Sequence, residues 1–289
     1  MNLTDYNEIR ALLSRHGFRF SKSLGQNFLT AAWVPERIAE AAGLDEQTGV
    51  LEVGPGVGCL TEQLSRRAGK VLAVELDKAL KPVLAETLAG RENIEILFGD
   101  VLKQDLPALV AEKLPGLRPV ICANLPYNVT TPLLTAFLEA GCFETVTVMI
   151  QREVAKRICA GPGCADYGAF GLFVQWHCMT ELLFDVPPSC FVPQPKVTSS
   201  VIRLTRREEK PFAAEDERLL FRVIRAAFNQ RRKTLVNALG SGLPELGKEK
   251  AEQILIACGL DPRIRGEAVD LEGFVKISNK VFPEISPKK

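Results

Sequence analysis

Between Val50 and Ile150 the chain repeats one unit, a short apolar run followed by an amphipathic stretch, and this repetition limits the possible folds more than any other feature. The apolar runs are Val50 to Val53, Val71 to Glu75, Ile94 to Phe98, Val120 to Ala123 and Val146 to Ile150. Helix-patterned segments separate them, around Leu60 to Ala68, Ala79 to Leu88, Leu106 to Leu114 and Leu133 to Ala140. Strands that alternate with helices in this way form a parallel sheet with helices on both faces, so the expected fold class is α/β. Two more β-rich runs, Leu182 to Val186 and Val197 to Leu204, flank the Pro-rich turn Pro187 to Pro195 and suit a hairpin added to the edge of the sheet.

The flanks have a different texture. Ile9, Leu12 and Leu13 share a helix face, with Asp5 and Glu8 spaced as a capping box and Gly17 as a stop. A second helix is expected from about Pro35 to Gly43. Beyond Arg206 the charged stretch Arg207 to Pro211 leads into a segment that is helical in pattern and lacks strands. The expected division is 1–206 for the α/β domain with its N-terminal helical extension and 207–289 for a small all-α domain.

Composition narrows the function classes. Met1 to Gly17 is polar, with no apolar h-region, and no stretch approaches the length of a bilayer span, which points to a soluble cytoplasmic protein. The cysteines (Cys59, Cys122, Cys142, Cys159, Cys164, Cys178, Cys190 and Cys258) are scattered and none forms C-x-x-C. With only His16 and His177 to join them, reduced thiols and no metal centre are expected. A net charge of +1 on 289 residues excludes no partner, because binding depends on where charges sit.

The run Val50-Leu-Glu-Val-Gly54-Pro-Gly56-Val-Gly58 ends a strand and opens a helix, where a doubly wound fold binds a nucleotide-like ligand. Its spacing is G-x-G-x-G, whereas the dinucleotide fingerprint that holds pyrophosphate is G-x-G-x-x-G. S-adenosylmethionine has no pyrophosphate and presents a sulfonium and an amino acid instead. The second strand ends in Val74-Glu75-Leu76-Asp77, and Glu75 stands about twenty residues past the glycines, where an acid accepts hydrogen bonds from ribose hydroxyls. The third ends in Phe98-Gly99-Asp100, followed by Val101, a position from which a carboxylate can hold an adenine amino group. These features at successive strand ends point to S-adenosylmethionine as cofactor.

The fourth strand ends in Cys122-Ala123-Asn124-Leu125-Pro126-Tyr127. Asn-x-Pro-Tyr is also a tight turn that frees an aromatic to pack, but its chemistry suits adenine N6. An exocyclic amine conjugated to a purine is a poor nucleophile, because its lone pair is delocalised into the ring. Two acceptors aimed at its N–H groups favour a pyramidal nitrogen. The Asn124 side-chain carbonyl and the Leu125 backbone carbonyl, ahead of a proline that fixes the turn, can supply them. Tyr127 offers a face on which an extruded base can stack. Positioning contributes about 7–11 kcal/mol to such reactions and a general base only roughly 10²–10⁴-fold, so orientation without a dedicated base is the expected mechanism.

Over nearly its whole length the sequence resembles the small-subunit ribosomal RNA adenine dimethyltransferases. The markers are Ser23-Leu-Gly-Gln-Asn27-Phe-Leu29, the glycine loop, Glu75, Asp100, Asn124-Leu-Pro-Tyr127, Phe191-Val-Pro-Gln-Pro-Lys-Val197 and Phe228-Asn-Gln-Arg-Arg-Lys-Thr234. The resemblance implies a Rossmann-like S-adenosylmethionine-dependent methyltransferase domain followed by a helical RNA-binding domain. Asn27, Leu29, Gly54, Gly56, Gly58, Glu75, Leu76, Asp100, Val101 and Asn124 would then bind the cofactor, and Tyr127 and Phe191 would sandwich a flipped adenine. The implied product is a pair of adjacent N6-dimethyladenines in the hairpin near the 3′ end of 16S RNA, formed by a monomer on the assembling small subunit. Two positions depart from the family: Trp176-His177 replaces paired tyrosines, which affects helix packing, and Val236 replaces a basic residue, which removes a phosphate contact.

From Arg218 to Lys233 the chain carries Arg218, Arg222, Arg225, Arg231, Arg232 and Lys233 and no acid. Arg218, Arg222 and Arg225 share a helix face while Leu219, Leu220, Val223 and Ile224 can face a core. Without Glu or Asp at i±4, this face is expected to bind RNA phosphates. The rival readings are a large-subunit RNA dimethyltransferase, adenine-N6 DNA or glutamine-amide methyltransferases with similar turns, and a ribosome-assembly binding factor whose methylation is secondary.

Overall fold

The structure is a computed structural model and describes residues 1–19 and 25–285. In chain order its elements are α1 (Tyr6–Arg15), β1 (Phe28–Leu29), α2 (Trp33–Ala41), β2 (Thr48–Val53), α3 (Cys59–Ser65), β3 (Lys70–Glu75), α4 (Lys81–Thr87), β4 (Ile94–Phe98), α5 (Leu106–Lys113), β5 (Arg118–Asn124), α6 (Thr130–Ala140) and β6 (Thr145–Gln151). There follow α7 (Arg152–Cys159), α8 (Ala169–His177), β7 (Cys178–Val186), β8 (Phe191–Val192), β9 (Ser199–Arg206), α9 (Glu217–Asn229), α10 (Leu235–Gly242), α11 (Gly247–Ala257) and α12 (Leu271–Ile285).

Seven strands form one sheet in the order β4-β3-β2-β5-β6-β9-β7. β2 pairs in parallel with β3 and β5, β3 with β4, and β5 with β6. The central strands are buried on both faces, which is why they read as continuous apolar runs and not as alternating ones. β9 runs antiparallel to β6 from Thr145↔Thr205 to Gln151↔Ser199, and β7 lies outside it, so the two last long strands form the edge addition expected from their sequence. β1 and β8 make a separate antiparallel pair with Leu29 opposite Phe191. Asp5 caps α1, its carboxylate accepting from the N–H groups of Asn7 and Glu8. The reciprocal half of the capping box is absent, because the Asp5 N–H already donates to the Asn2 carbonyl at 3.1 Å. Glu8 instead accepts from the Asn2 N–H at 2.7 Å.

Contacts divide the chain into two compact units, Met1–Ala155 with Thr180–Arg206, and Lys156–Met179 with Arg207–Lys289. The sequence pattern places Lys156–Met179 in the first domain; the packing groups it with the second. The cause is its apolar content. Tyr167, Leu172 and Trp176 are buried in one cluster with Leu220, Val223, Leu239 and Phe274. The Tyr167 hydroxyl donates to the Val269 carbonyl at 3.0 Å, and Trp176 stands edge-on to Phe221 with ring centroids 6.4 Å apart. Val236 packs partly buried against the same cluster. In this unit Asp216 caps α9, its carboxylate accepting from the Leu219 N–H, and the helix buries Leu219, Leu220, Val223 and Ile224. None of the helices among the described residues is long and apolar enough to cross a membrane.

Candidate active site

From β2 the chain steps outward through β3 to β4, then returns to the far side of β2 for β5 and β6. At this reversal the loops leaving β2 and β5 diverge and open a crevice outside the carboxyl ends of the strands. A cavity of about 270 Å³ lies there, walled by the glycine loop, the ends of β3, β4 and β5, and residues 25–29. Gly54 and Gly56 have φ of 69° and 60°, a region that residues with a Cβ seldom adopt. A Cβ on Gly56 would come within 3.0 Å of the Phe28 ring, so this turn both needs left-handed backbone and leaves no room for a side chain.

The wall is acidic. Glu52, Glu75 and Asp100 line the cavity and no Lys, Arg or His does so among the described residues. Glu75 accepts from the Asp77 N–H at 2.7 Å and the Gly56 N–H at 3.4 Å, so it ties the end of β3 to the glycine loop. Burial pushes its pKa up against these hydrogen bonds. One oxygen of Asp100 caps the following turn by accepting from the Leu102 N–H at 3.0 Å. Asp77 holds the N-terminal segment in place, accepting from the Gln26 side-chain amide at 2.8 Å.

Glu52 is the residue that sequence reasoning leaves out of the cofactor set. It is 1% exposed, and its Oε2 has no hydrogen-bond partner among the described residues. Burial pushes its pKa up to about 8, opposed by the Thr61 hydroxyl and reinforced by the charge of Glu75. A carboxylate inside the run Val50-Leu-Glu-Val is the available signal, since a charged residue in a strand buried on both faces needs a task. In the ligand-free protein the folded state keeps a proton that the unfolded chain releases above the ordinary value of 4.5. Stability from this group is therefore complete below that value and is lost as the pH climbs through 8. Thermal melts of ligand-free protein from pH 5 to 8 should show a fall on the order of a few kcal/mol that Glu52→Gln removes.

Asn124, Leu125, Pro126 and Tyr127 reach the same cavity from the end of β5. The Asn124 amide nitrogen donates to the Asn27 carbonyl at 3.5 Å, which leaves the side-chain oxygen as an acceptor with no partner among the described residues. Leu125 is held by its N–H, which donates to the Met149 carbonyl at 3.1 Å. Tyr127 is partly buried, with its hydroxyl 2.6 Å from that of Ser199. Burial pushes its pKa up and keeps it protonated.

Asn27, Leu29, Gly54, Gly56, Glu75, Leu76, Asp100, Val101 and Asn124 thus share one wall. Two expected site residues do not belong to it. Gly58 heads α3 with φ of 92°, and a Cβ there would lie 3.0 Å from Leu88, so its glycine serves helix packing. Phe191 is 2% exposed in β8 and packs in a core cluster with Leu29 and Val34. Ser23 and Leu24 lie outside the described residues.

A ribosomal RNA adenine dimethylase family model matches residues 17–274. The chain belongs to the ribosomal RNA adenine dimethylase family. It is 49% identical over 279 residues to the ribosomal RNA small subunit methyltransferase A of Geobacillus thermodenitrificans (strain NG80-2), covering 95% of each chain. Among solved structures, the dimethyladenosine transferase from Plasmodium falciparum superposes with a TM-score of 0.76 at 24% identity, over 89% of this chain and 98% of that one. The 23S rRNA methyltransferase ErmE superposes with a TM-score of 0.68 at 27% identity, over 88% and 98%. For such a dimethylase the cofactor is S-adenosylmethionine, and the residues present fit it. A cationic sulfonium and ammonium suit a wall of three carboxylates with one orphaned buried oxygen, and a pyrophosphate does not.

The basic residues lie in the second unit. Arg218, Arg222, Arg225, Arg231, Arg232 and Lys233 are all exposed. The expected absence of counter-charge is corrected at two of them. Arg222 is paired with Glu245, and Arg231 lies 3.5 Å from Glu267 while donating to the Ala165 carbonyl. Both acids come from beyond α9, out of reach of an i±4 count. Arg218, Arg225, Arg232 and Lys233 have no carboxylate within salt-bridge distance among the described residues.

Proposed function

We propose that this chain dimethylates N6 of two adjacent adenines in the 3′-terminal hairpin of small-subunit (16S) ribosomal RNA, acting in the cytoplasm as a monomer on the assembling small subunit. The reading is supported above all by one observation: the cavity lined by Glu52, Glu75 and Asp100 and the Asn124-Leu-Pro-Tyr127 turn share a wall. When bound, S-adenosylmethionine supplies an electrophilic methyl group on sulfur. Glu75 would accept from its ribose hydroxyls, Asp100 from its adenine amino group, and Glu52 would face its cationic amino-acid end. Tyr127 carries the extruded target base on its ring face. The Asn124 side-chain oxygen and the Leu125 carbonyl accept from the N6–H groups and turn the nitrogen lone pair towards the methyl carbon. Asn124, Leu125 and Tyr127 offer no dedicated base, so the proton given up by N6 on methylation would pass to solvent. Tyr127 is not the base, because its hydroxyl stays protonated.

The helical unit supplies the RNA grip through the unpaired cations Arg218, Arg225, Arg232 and Lys233. Arg218→Glu with Arg225→Glu is expected to weaken binding to the RNA substrate and to flatten its log–log salt dependence by about 0.7–0.9 for each phosphate no longer held. Arg222→Glu should act less, since Glu245 already neutralises that side chain. Filter binding across a salt series checks both, and an unaltered slope in the double variant would make these arginines an ordinary solvated face.

The deciding experiment supplies labelled cofactor with naked RNA, undermethylated small subunits, large subunits and DNA. N6,N6-dimethyladenosine at two neighbouring positions near the 3′ end of the small-subunit RNA is expected. Label confined to large-subunit RNA or DNA would overturn the substrate assignment.

A further inference from the structure

Ser199 is a wholly buried polar residue whose hydroxyl lies within hydrogen-bonding distance of a cavity-lining side chain. It opens β9, is 0% exposed, and shares a 2.6 Å hydrogen bond with the Tyr127 hydroxyl. Its own position is pinned from both sides. It lies opposite Gln151 in the β6·β9 ladder, and the Arg152 N–H donates to the carbonyl of the preceding Thr198 at 3.0 Å. The following Ser200, also 0% exposed, donates to Asp185 at 2.6 Å, and the Arg152 guanidinium lies 3.2 Å from the other oxygen of that carboxylate.

Tyr127, by contrast, starts a three-residue turn whose backbone says little about where a ring at the end of two torsions will lie. Stacking a base needs an aromatic face and no hydroxyl, so phenylalanine would serve as a bare platform. The hydroxyl gives the ring a second anchor. With Pro126 restricting the backbone at one end and Ser199 gripping the oxygen at the other, the plane of the ring is set relative to the Asn124 oxygen.

We propose that Ser199 is a positioning residue for methyl transfer, fixing the ring of Tyr127 so that a stacked adenine presents N6 to the Asn124 and Leu125 acceptors. This rests on the stacking role assigned to Tyr127 above. The effect belongs to the chemical step: a misplacement of the reacting amine lowers the rate even where substrate and cofactor bind normally.

A double-mutant cycle read by single-turnover methyl transfer tests it, with cofactor and RNA dissociation constants measured on each protein. Ser199→Ala and Tyr127→Phe should each slow transfer by about three- to tenfold, the range expected of one neutral hydrogen bond. The double variant should be no slower than the slower single variant, and both dissociation constants should match the parent protein. A purely structural serine predicts the opposite, a loss from Ser199→Ala that recurs undiminished in the Tyr127→Phe background, and that result overturns the proposal. Tyr127→Phe leaves the strand untouched, so it decides alone if Ser199→Ala does not fold: parental turnover in Tyr127→Phe overturns the positioning role. Tyr127→Ala separates the two layers. Its expected loss exceeds about a hundredfold; near-parental turnover there removes the stacking reading itself, whereas a crippled Tyr127→Ala beside an unaffected Ser199→Ala removes only the assignment of Ser199.

Discussion

Asn124→Ala should lower single-turnover methyl transfer by at least about 10²–10³-fold, the loss typical of removing one preorganised group aimed at developing charge. The Asn124 amide already donates to the Asn27 carbonyl, so the side chain arrives with its oxygen oriented and undergoes no reorganisation when the amine enters. RNA affinity should change by far less, because the deleted acceptor serves the reacting nitrogen and not the backbone. Asn124→Asp keeps an acceptor but loses the donor that orients it, and should fall between the parent and the alanine variant. Near-parental transfer by Asn124→Ala under saturating enzyme would contradict the mechanism. The same protein distinguishes catalysis from assembly: a subunit that matures normally with it needs the bound protein and not the methyl groups.

Glu75→Ala should weaken S-adenosylmethionine binding by roughly 10- to 150-fold, the equivalent of about 1.5–3 kcal/mol for a charge-assisted hydrogen bond. Two effects combine here. The ribose loses its acceptor, and the glycine loop loses the carboxylate that receives the Gly56 and Asp77 N–H groups. Glu75→Gln keeps an acceptor for the backbone and should recover part of the affinity. Calorimetry on the three proteins checks this, and equal dissociation constants would remove Glu75 from the cofactor site.

The parallel sheet is legible in the sequence because its central strands are buried on both faces and leave unbroken apolar runs. The cavity wall is legible because glycines and acids at strand ends have few other uses. What escapes depends on distant packing. α7 begins at Arg152, directly after β6 ends at Gln151, so no turn residue marks the change. α8, with the sequence Ala-Phe-Gly-Leu-Phe-Val-Gln-Trp-His, is apolar over most of its circumference and has no amphipathic period to read. The burial of Phe191, 2% exposed and paired opposite Leu29, is set by that distant strand and not by its own local sequence. Glu245 neutralises Arg222 from beyond α10, and nothing in the local spacing announces it.

The interleaving of the two units bears on synthesis. The chain enters the second unit at Lys156, leaves it at Thr180 and returns at Arg207. As the polypeptide emerges, Tyr167, Leu172 and Trp176 precede every one of α9 to α12, against which they are finally buried. A chain that has emerged as far as Arg206 has all seven strands but none of α9 to α12, so Tyr167, Leu172 and Trp176 then lack the helices that bury them. The helices α9 to α12 therefore cannot be removed as a tail without stranding that surface.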